Sequence, residues 1–120
     1  MNRKELTNFI NQYQEPDDFT GGVDENQVCL VERELGLVLP DSFKWFLKTY
    51  GSGGLFGVDI LGVAKSDTAP VIDTTKRYRE LWLENNLVAI EDAGEYVYCL
   101  NTSKMVNEEC PVIAWNRPDG

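Results

Sequence analysis

Glu34-Leu35-Gly36-Leu37-Val38-Leu39-Pro40-Asp41-Ser42-Phe43-Lys44-Trp45-Phe46-Leu47-Lys48-Thr49-Tyr50-Gly51-Ser52-Gly53-Gly54 holds a helix end, a helix start and a glycine exit in one stretch. Gly36 follows an apolar-periodic run, where a left-handed residue commonly closes a helix. Pro40 has no N–H, so it suits the start of the next helix, where that donor lacks a partner anyway. Phe43, Phe46, Leu47 and Tyr50 recur at spacings of three and four, which sets them on one helical face. Trp45 falls off that stripe. Gly51, Gly53 and Gly54 end the helix and permit backbone angles closed to other residues.

On the N-terminal side, Leu6, Phe9, Ile10 and Tyr13 predict an amphipathic helix over 3–13, stopped by Glu15-Pro16-Asp17-Asp18. Asp24 and Gln27 read as a capping box opening a second helix that runs to Leu35 with Val28 and Val31 inward. On the C-terminal side, residues 55–63 are apolar, β-branched and broken by glycine, which predicts one or two strands. Asp67 or Thr68 is expected to cap an entry around Pro70. A helix is expected over 71–85, with Tyr78, Leu81 and Trp82 inward. Strands are expected over 87–91, 96–100 and 111–115, the first two joined by a hairpin turn with Gly94 at its tip. This order predicts a single α+β domain over residues 1–120, its N-terminal helices packed on one face of a mostly antiparallel sheet.

Composition narrows the function. The chain has 120 residues, 42 % hydrophobic and 26 % charged, the balance of an ordinary globular domain. No apolar run approaches the roughly 18 residues of a membrane span. The basic N-terminus has no apolar segment behind it, so a secretory signal is not expected and a cytoplasmic protein is. Net charge is −9. Residues 1–40 and 87–120 carry −5 and −4, while residues 41–86 are neutral. Such a field disfavours nucleic acid and anionic membrane and favours a basic partner.

Catalytic chemistry has little to draw on. The chain has no histidine, which removes the commonest proton shuttle and any Ser-His-Asp or Cys-His arrangement. Ser52 sits among glycines but follows a helix, the wrong order for a nucleophile elbow or a phosphate loop. The three cysteines, Cys29, Cys99 and Cys110, include no C-x-x-C pair and read as buried, reduced thiols. No cofactor or metal is expected. The plentiful ionisable groups are carboxylates: Asp17 with Asp18, Glu91 with Asp92 and Glu95, and Glu108 with Glu109. Tyr96 and Tyr98 share one face of their strand, opposite Val97 and Cys99. If that face looks away from the helices, it offers amphipathic contact area for a partner.

Glu32, Leu35-Gly36, Leu39-Pro40, Phe43, Phe46-Leu47, Gly51 and Gly53-Gly54 together resemble the signature of the SMI1/KNR4 (SUKH) superfamily. The strand pair beginning Gly94-Glu95-Tyr96-Val97-Tyr98-Cys99 and the later Val112-Ile113-Ala114-Trp115 are similar to the family's second half, with Glu95 where members often have Asp. The resemblance implies the same α+β layout and a C-terminal helix beyond the last strand, which the quoted sequence, ending at Gly120, does not reach. It also implies a role. Many bacterial members are immunity proteins that bind and neutralise a toxin, often a nuclease. The expectation is therefore a non-enzymatic antitoxin with a basic toxin as partner, contacted through Glu91, Asp92, Glu95, Glu108 and Glu109, with Asp17 and Asp18 as further candidates. Two alternatives stand beside it: a regulatory interaction module without a toxin, and a metal-dependent hydrolase built on the carboxylates. Oligomeric state is left open by the sequence.

Overall fold

The computed structural model describes residues 3–55, 58–64 and 69–116. Four helices come first: α1 (Arg3–Tyr13), α2 (Glu25–Leu35), α3 (Asp41–Thr49) and α4 (Pro70–Arg79). Three strands follow, β1 (Leu87–Asp92), β2 (Tyr96–Asn101) and β3 (Val112–Asn116), with a 3₁₀ turn at Thr102–Lys104. They form one antiparallel sheet in the order β1-β2-β3.

The segment that opened the sequence reading is the frame of this fold. The expected capping box is present at α2: the Gln27 N–H donates to the Asp24 carboxylate at 3.0 Å, and the Asp24 N–H donates to the Gln27 side chain at 3.3 Å. Gly36 closes α2 at φ 69°. Glu32 then reaches forward. Its carboxylate accepts the Leu39 N–H at 2.8 Å and lies 3.5 Å from the Lys44 ammonium, fixing the Leu39-Pro40 entry to α3. Phe43, Leu47 and Tyr50 are buried along the expected stripe. Gly51 turns the chain at φ 79°, and a Cβ there would stand 2.1 Å from the Gly21 carbonyl oxygen. No other residue fits.

Val28, Val31 and Leu35 of α2, Phe43 and Leu47 of α3, and Val71 and Ile72 of α4 meet Val88 and Leu100 in the main core. A second cluster lies across the sheet, where Tyr78 and Leu83 cover Ala89, Val97 and Cys99. Burial inside that cluster pushes the Cys99 thiol up to about 12, whereas Cys29, expected to be buried, is exposed and Cys110 is half-buried.

Two expectations are corrected. Among the described residues, 55–63 form no strand. The chain crosses there in irregular backbone, tied by one bridge between Gly53 and Ile60 and by the Leu61 N–H donating to the Ile90 carbonyl at 2.7 Å. Its donors bind the helix exit to β1 and leave none for a ladder of its own. Helix α4 also stops at Arg79, six residues early. The Tyr78 carbonyl accepts both the Leu81 and Leu83 N–H groups, and Trp82 takes φ 73° and is 83 % exposed. Ending the helix there buries Leu83, and Trp82 is turned outward as the consequence. The expected cap at Asp67 or Thr68 lies outside the described residues.

Candidate partner-binding surface

The hairpin of β1 and β2 is shaped by an irregularity that the alternation pattern does not announce. Cα pairing runs Ala89↔Cys99 and then jumps to Glu91↔Tyr98, leaving Ile90 as the extra residue of a bulge. A bulge shifts every later side chain to the opposite face. Glu91 therefore stands opposite Tyr98 on the outer face. Asp92 stands opposite Val97 on the inner one, where its carboxylate accepts the Tyr78 hydroxyl and the Gly94 N–H, the latter at 3.1 Å. The Arg77 guanidinium is 3.9 Å from the same carboxylate. Asp92 is thus tied to α4, while Glu91 is half-buried beside an exposed tyrosine.

The tyrosines turn away from the second cluster, while Leu100, farther along the same face, enters the main core. Tyr96 and Tyr98 are exposed, whereas Val97 and Cys99 are fully buried. Across β3, Val112 and Ala114 continue the exposed face. Glu95, at the hairpin tip, makes no hydrogen bond or ion pair with the described residues and is exposed.

Glu108 and Glu109 lie at the other end of this face, against the start of α3. Val106 and Glu109 exchange backbone hydrogen bonds of 2.7 and 3.0 Å across a two-residue turn. Asn107 and Glu108 both take positive φ there, 51° and 66°. Such a turn favours glycine at its second position, so Glu108 occupies a strained place. Its carbonyl accepts the Asp41 N–H at 2.8 Å. Its carboxyl hydrogen-bonds to the Asp41 carboxyl and feels that group's charge, which together raise its pKa above the ordinary carboxylate range. Glu109 does a different job. Pro40 gives α3 no side-chain cap, and the Glu109 carboxylate supplies one from 67 residues away, accepting the Ser42 hydroxyl at 2.6 Å and the Ser42 N–H at 3.1 Å. A carboxylate at a helix N-terminus also matches the helix dipole.

Between these two acidic ends the surface dips into an apolar groove of about 380 Å³, walled by Trp45, Phe46, Ile90, Leu100 and Val112. Arg3 of α1 closes one side, its guanidinium 5.6 Å from the Trp45 ring centroid and 3.9 Å from the Glu109 carboxylate. Trp45, off the helical stripe in sequence, is therefore a groove wall. Asp17 and Asp18 lie elsewhere. The Asp18 carboxylate accepts the Glu15 N–H at 2.7 Å and closes the turn after α1, and Asp17 is exposed. The structure brings four of the seven candidates, Glu91, Glu95, Glu108 and Glu109, to the two ends of one face, turns Asp92 to the inner one, and engages Asp18, Asp92 and Glu109 in holding the fold. Arg3 and Asp41 carry no local signal of their place at this surface, which depends on long-range packing.

Among the described residues, no three His, Cys, Asp or Glu side chains converge as metal ligands. Ser52 is buried and shares a 3.0 Å hydroxyl contact with Thr20, a lock between the glycine exit and the preceding loop.

Comparison with known proteins adds the family. Residues 6–120 match the SUKH family model described as SMI1-KNR4 cell-wall. The chain belongs to the SMI1/KNR4 (SUKH) superfamily. A crystal structure of a protein from Pseudomonas syringae pv. tomato shares the fold of this SUKH domain at a TM-score of 0.71 and 20 % identity, covering 93 % of this chain and 89 % of that one. The signature residues of the SUKH domain thus build its frame, through Glu32, Pro40 and Gly51. Of the groove walls, Phe46 belongs to that signature and Trp45, Ile90 and Leu100 do not. No helix of the described SUKH domain is long and apolar enough to cross a membrane.

Proposed function

We propose that this SUKH domain is an immunity protein that acts in the cytoplasm by binding a toxin with a basic surface, a nuclease being the expected class. The observation that carries the reading is the composite face: exposed Tyr96 and Tyr98 and a Trp45-walled groove, with carboxylates at both ends. Aromatic and apolar groups at the centre of a patch with charge at its rim are the arrangement that protein interfaces favour. The net charge of −9 steers a basic partner toward it and speeds association by about 10–10³-fold. Nothing in the proposal requires a catalytic group.

The contacts expected to matter are Glu91 and Glu95, which no hydrogen bond or ion pair engages among the described residues, and Glu108, whose carboxyl meets that of Asp41. Glu91, Glu95 and Glu108 are the primary set. Glu109 shares the face while tied to α3, Asp92 stands on the inner face tied to α4, and Asp17 and Asp18 are secondary. The test is co-expression with the toxin encoded beside this chain in its own genome. Changing Glu91, Glu95 and Glu108 together to lysine should abolish protection while the domain still melts cooperatively. Retained protection with unaltered salt dependence would sink the assignment.

One second reading has an observation in its favour. The matched family is described by a cell-wall role, which suits a regulatory module binding cellular proteins without a toxin. Absence of any neighbouring toxin gene, with a non-toxin protein bound through the same three carboxylates, would favour it.

A further inference from the structure

The two edges of the sheet are treated differently. On β1 several outward backbone groups have partners: the Ala89 N–H donates to the buried Thr75 hydroxyl at 3.0 Å, and the Ile90 carbonyl accepts the Leu61 N–H at 2.7 Å. On β3 the outward groups have none among the described residues. Which groups these are follows from the ladder. The Asn101 N–H donates to the Pro111 carbonyl at 2.9 Å, so that pair is a hydrogen-bonded one. Hydrogen-bonded pairs alternate in an antiparallel ladder. Cys99–Ile113 and Val97–Trp115 are therefore the next bonded pairs, and Val112, Ala114 and Asn116 aim their N–H and C=O groups away from β2. Their side chains lie on the exposed tyrosine face.

We propose that β3 is a docking edge, to which an extended segment of the basic partner adds as a fourth strand. This rests on the reading of the partner as a basic protein. Five uncharged residues make up the edge, Val112–Asn116. Glu109 stands before its first residue, and Glu95 stands beside its last, since Asn116 pairs with Tyr96. An uncharged edge with an acid at each end fits a segment with an apolar or neutral middle and Lys or Arg at both ends. Alternate side chains of that segment would fall next to Val112, at the lip of the apolar groove, and give specificity to main-chain binding. A second copy of this chain fits less well, because pairing two β3 edges would bring together two chains of −9 with their acidic flanks in register.

The test uses the peptide Lys-Lys-Thr-Val-Thr-Val-Thr-Lys-Lys and the same peptide with glutamate ends, followed by ¹⁵N–¹H NMR of the whole chain. The Ala114→Pro variant removes one outward N–H and leaves the bonded pairs with β2 untouched. Binding of the lysine-ended peptide should shift the Val112, Ala114 and Asn116 amides, weaken roughly tenfold in Ala114→Pro by loss of one main-chain hydrogen bond, and vanish with glutamate ends. Should Ala114→Pro fail to fold, N-methylation of alternate peptide amides makes the same deletion from the other side. No binding by about 1 mM peptide, binding indifferent to both deletions, or a homodimer that Ala114→Pro dissolves would each overturn the proposal. The immunity reading fails separately, in the co-expression assay: charge reversals that abolish protection while the peptide does not bind would leave that reading standing and remove strand addition.

Discussion

Glu109→Ala should destabilise the domain by unwinding the start of α3, although Glu109 lies 67 residues away in sequence and on a half-exposed surface. The starting point is Pro40, which lacks a side-chain acceptor, so the first N–H groups of α3 depend on an outside partner. Glu109 provides it through the Ser42 N–H and hydroxyl. Losing a helix cap costs typically about 1 kcal/mol. Bonds to a charged acceptor are stronger, but water screens a carboxylate that is 46 % exposed, so about 1–1.5 kcal/mol is the expected total. The Arg3 contact at 3.9 Å adds little on a surface. For a domain of this size the loss corresponds to a fall in Tm of about 3–9 °C, readable by circular dichroism. Glu109→Gln keeps an acceptor and should lose less than half as much. The double variant with Ser42→Ala separates the pair from its surroundings. A coupling of about 0.5–1 kcal/mol is expected, since the two groups touch. Additive effects, or a Glu109→Ala melt unmoved from wild type, would refute the cap and return Glu109 to the set of residues available for a partner.

Glu108→Gly should raise stability by about 1 kcal/mol, because φ 66° is strained for glutamate and open to glycine; chemical denaturation measures it. The raised pKa of Glu108 means that the folded chain holds this proton more tightly than the unfolded one, so the associated stability is present at low pH and lost as pH rises through the raised value; in Glu108→Gln, stability against pH should flatten in that window. Thr75→Val should cost about 1–2 kcal/mol by leaving the buried Ala89 N–H without its acceptor, whereas Thr75→Ser, which keeps the hydroxyl, should cost less. At pH 8 iodoacetamide should modify exposed Cys29 within minutes and spare Cys99, whose thiol is buried and pushed up to about 12, until denaturant unfolds the chain; mass spectrometry of the peptides reads both.

What the sequence revealed and what it hid follow from the range of the interactions. Caps, helix stripes and glycine exits are local, and Asp24, Gly36, Pro40 and the Phe43–Tyr50 stripe stand where their spacing put them. Trp82 was expected inward because helical periodicity was extended past Arg79. The tertiary structure overrode it: the Arg79 guanidinium donates to the Leu35 carbonyl at 3.0 Å and to the Asn85 carbonyl at 2.8 Å, pulling the chain out of the helix toward the end of α2. Burial holds the pKa of that guanidinium below its ordinary value. The acidic clusters were visible as composition, yet nothing local tells a capping carboxylate from a solvated one. That distinction needs the partner in space: Ser42 for Glu109, Tyr78 for Asp92, the Glu15 backbone for Asp18.

The bulge at Ile90 is where fold and proposed function meet. In a regular strand Glu91 would follow Ile90 onto the inner face, into the layer that holds Val97 and Tyr78, where an ionised carboxylate is costly. Asp92 would then face outward. The extra residue exchanges them. Ile90 and Glu91 both serve the outer side, Ile90 as a groove wall and Glu91 beside Tyr98, while Asp92 turns inward to a hydroxyl donor that can satisfy it. The same bulge leaves the Ile90 carbonyl pointing outward, where the Leu61 N–H takes it and closes the β1 edge. The bulged conformation at Ile90 thus lets Glu91 reach the candidate face and Asp92 reach α4, and leaves β3 as the edge without partners among the described residues. Deleting Ile90 should therefore do more than open a cavity. It should leave Glu91 opposite Tyr98 and Asp92 opposite Val97, because the residue removed is the extra one, while taking a wall from the groove and the carbonyl acceptor from the Leu61 N–H, which faster amide exchange at Leu61 would report.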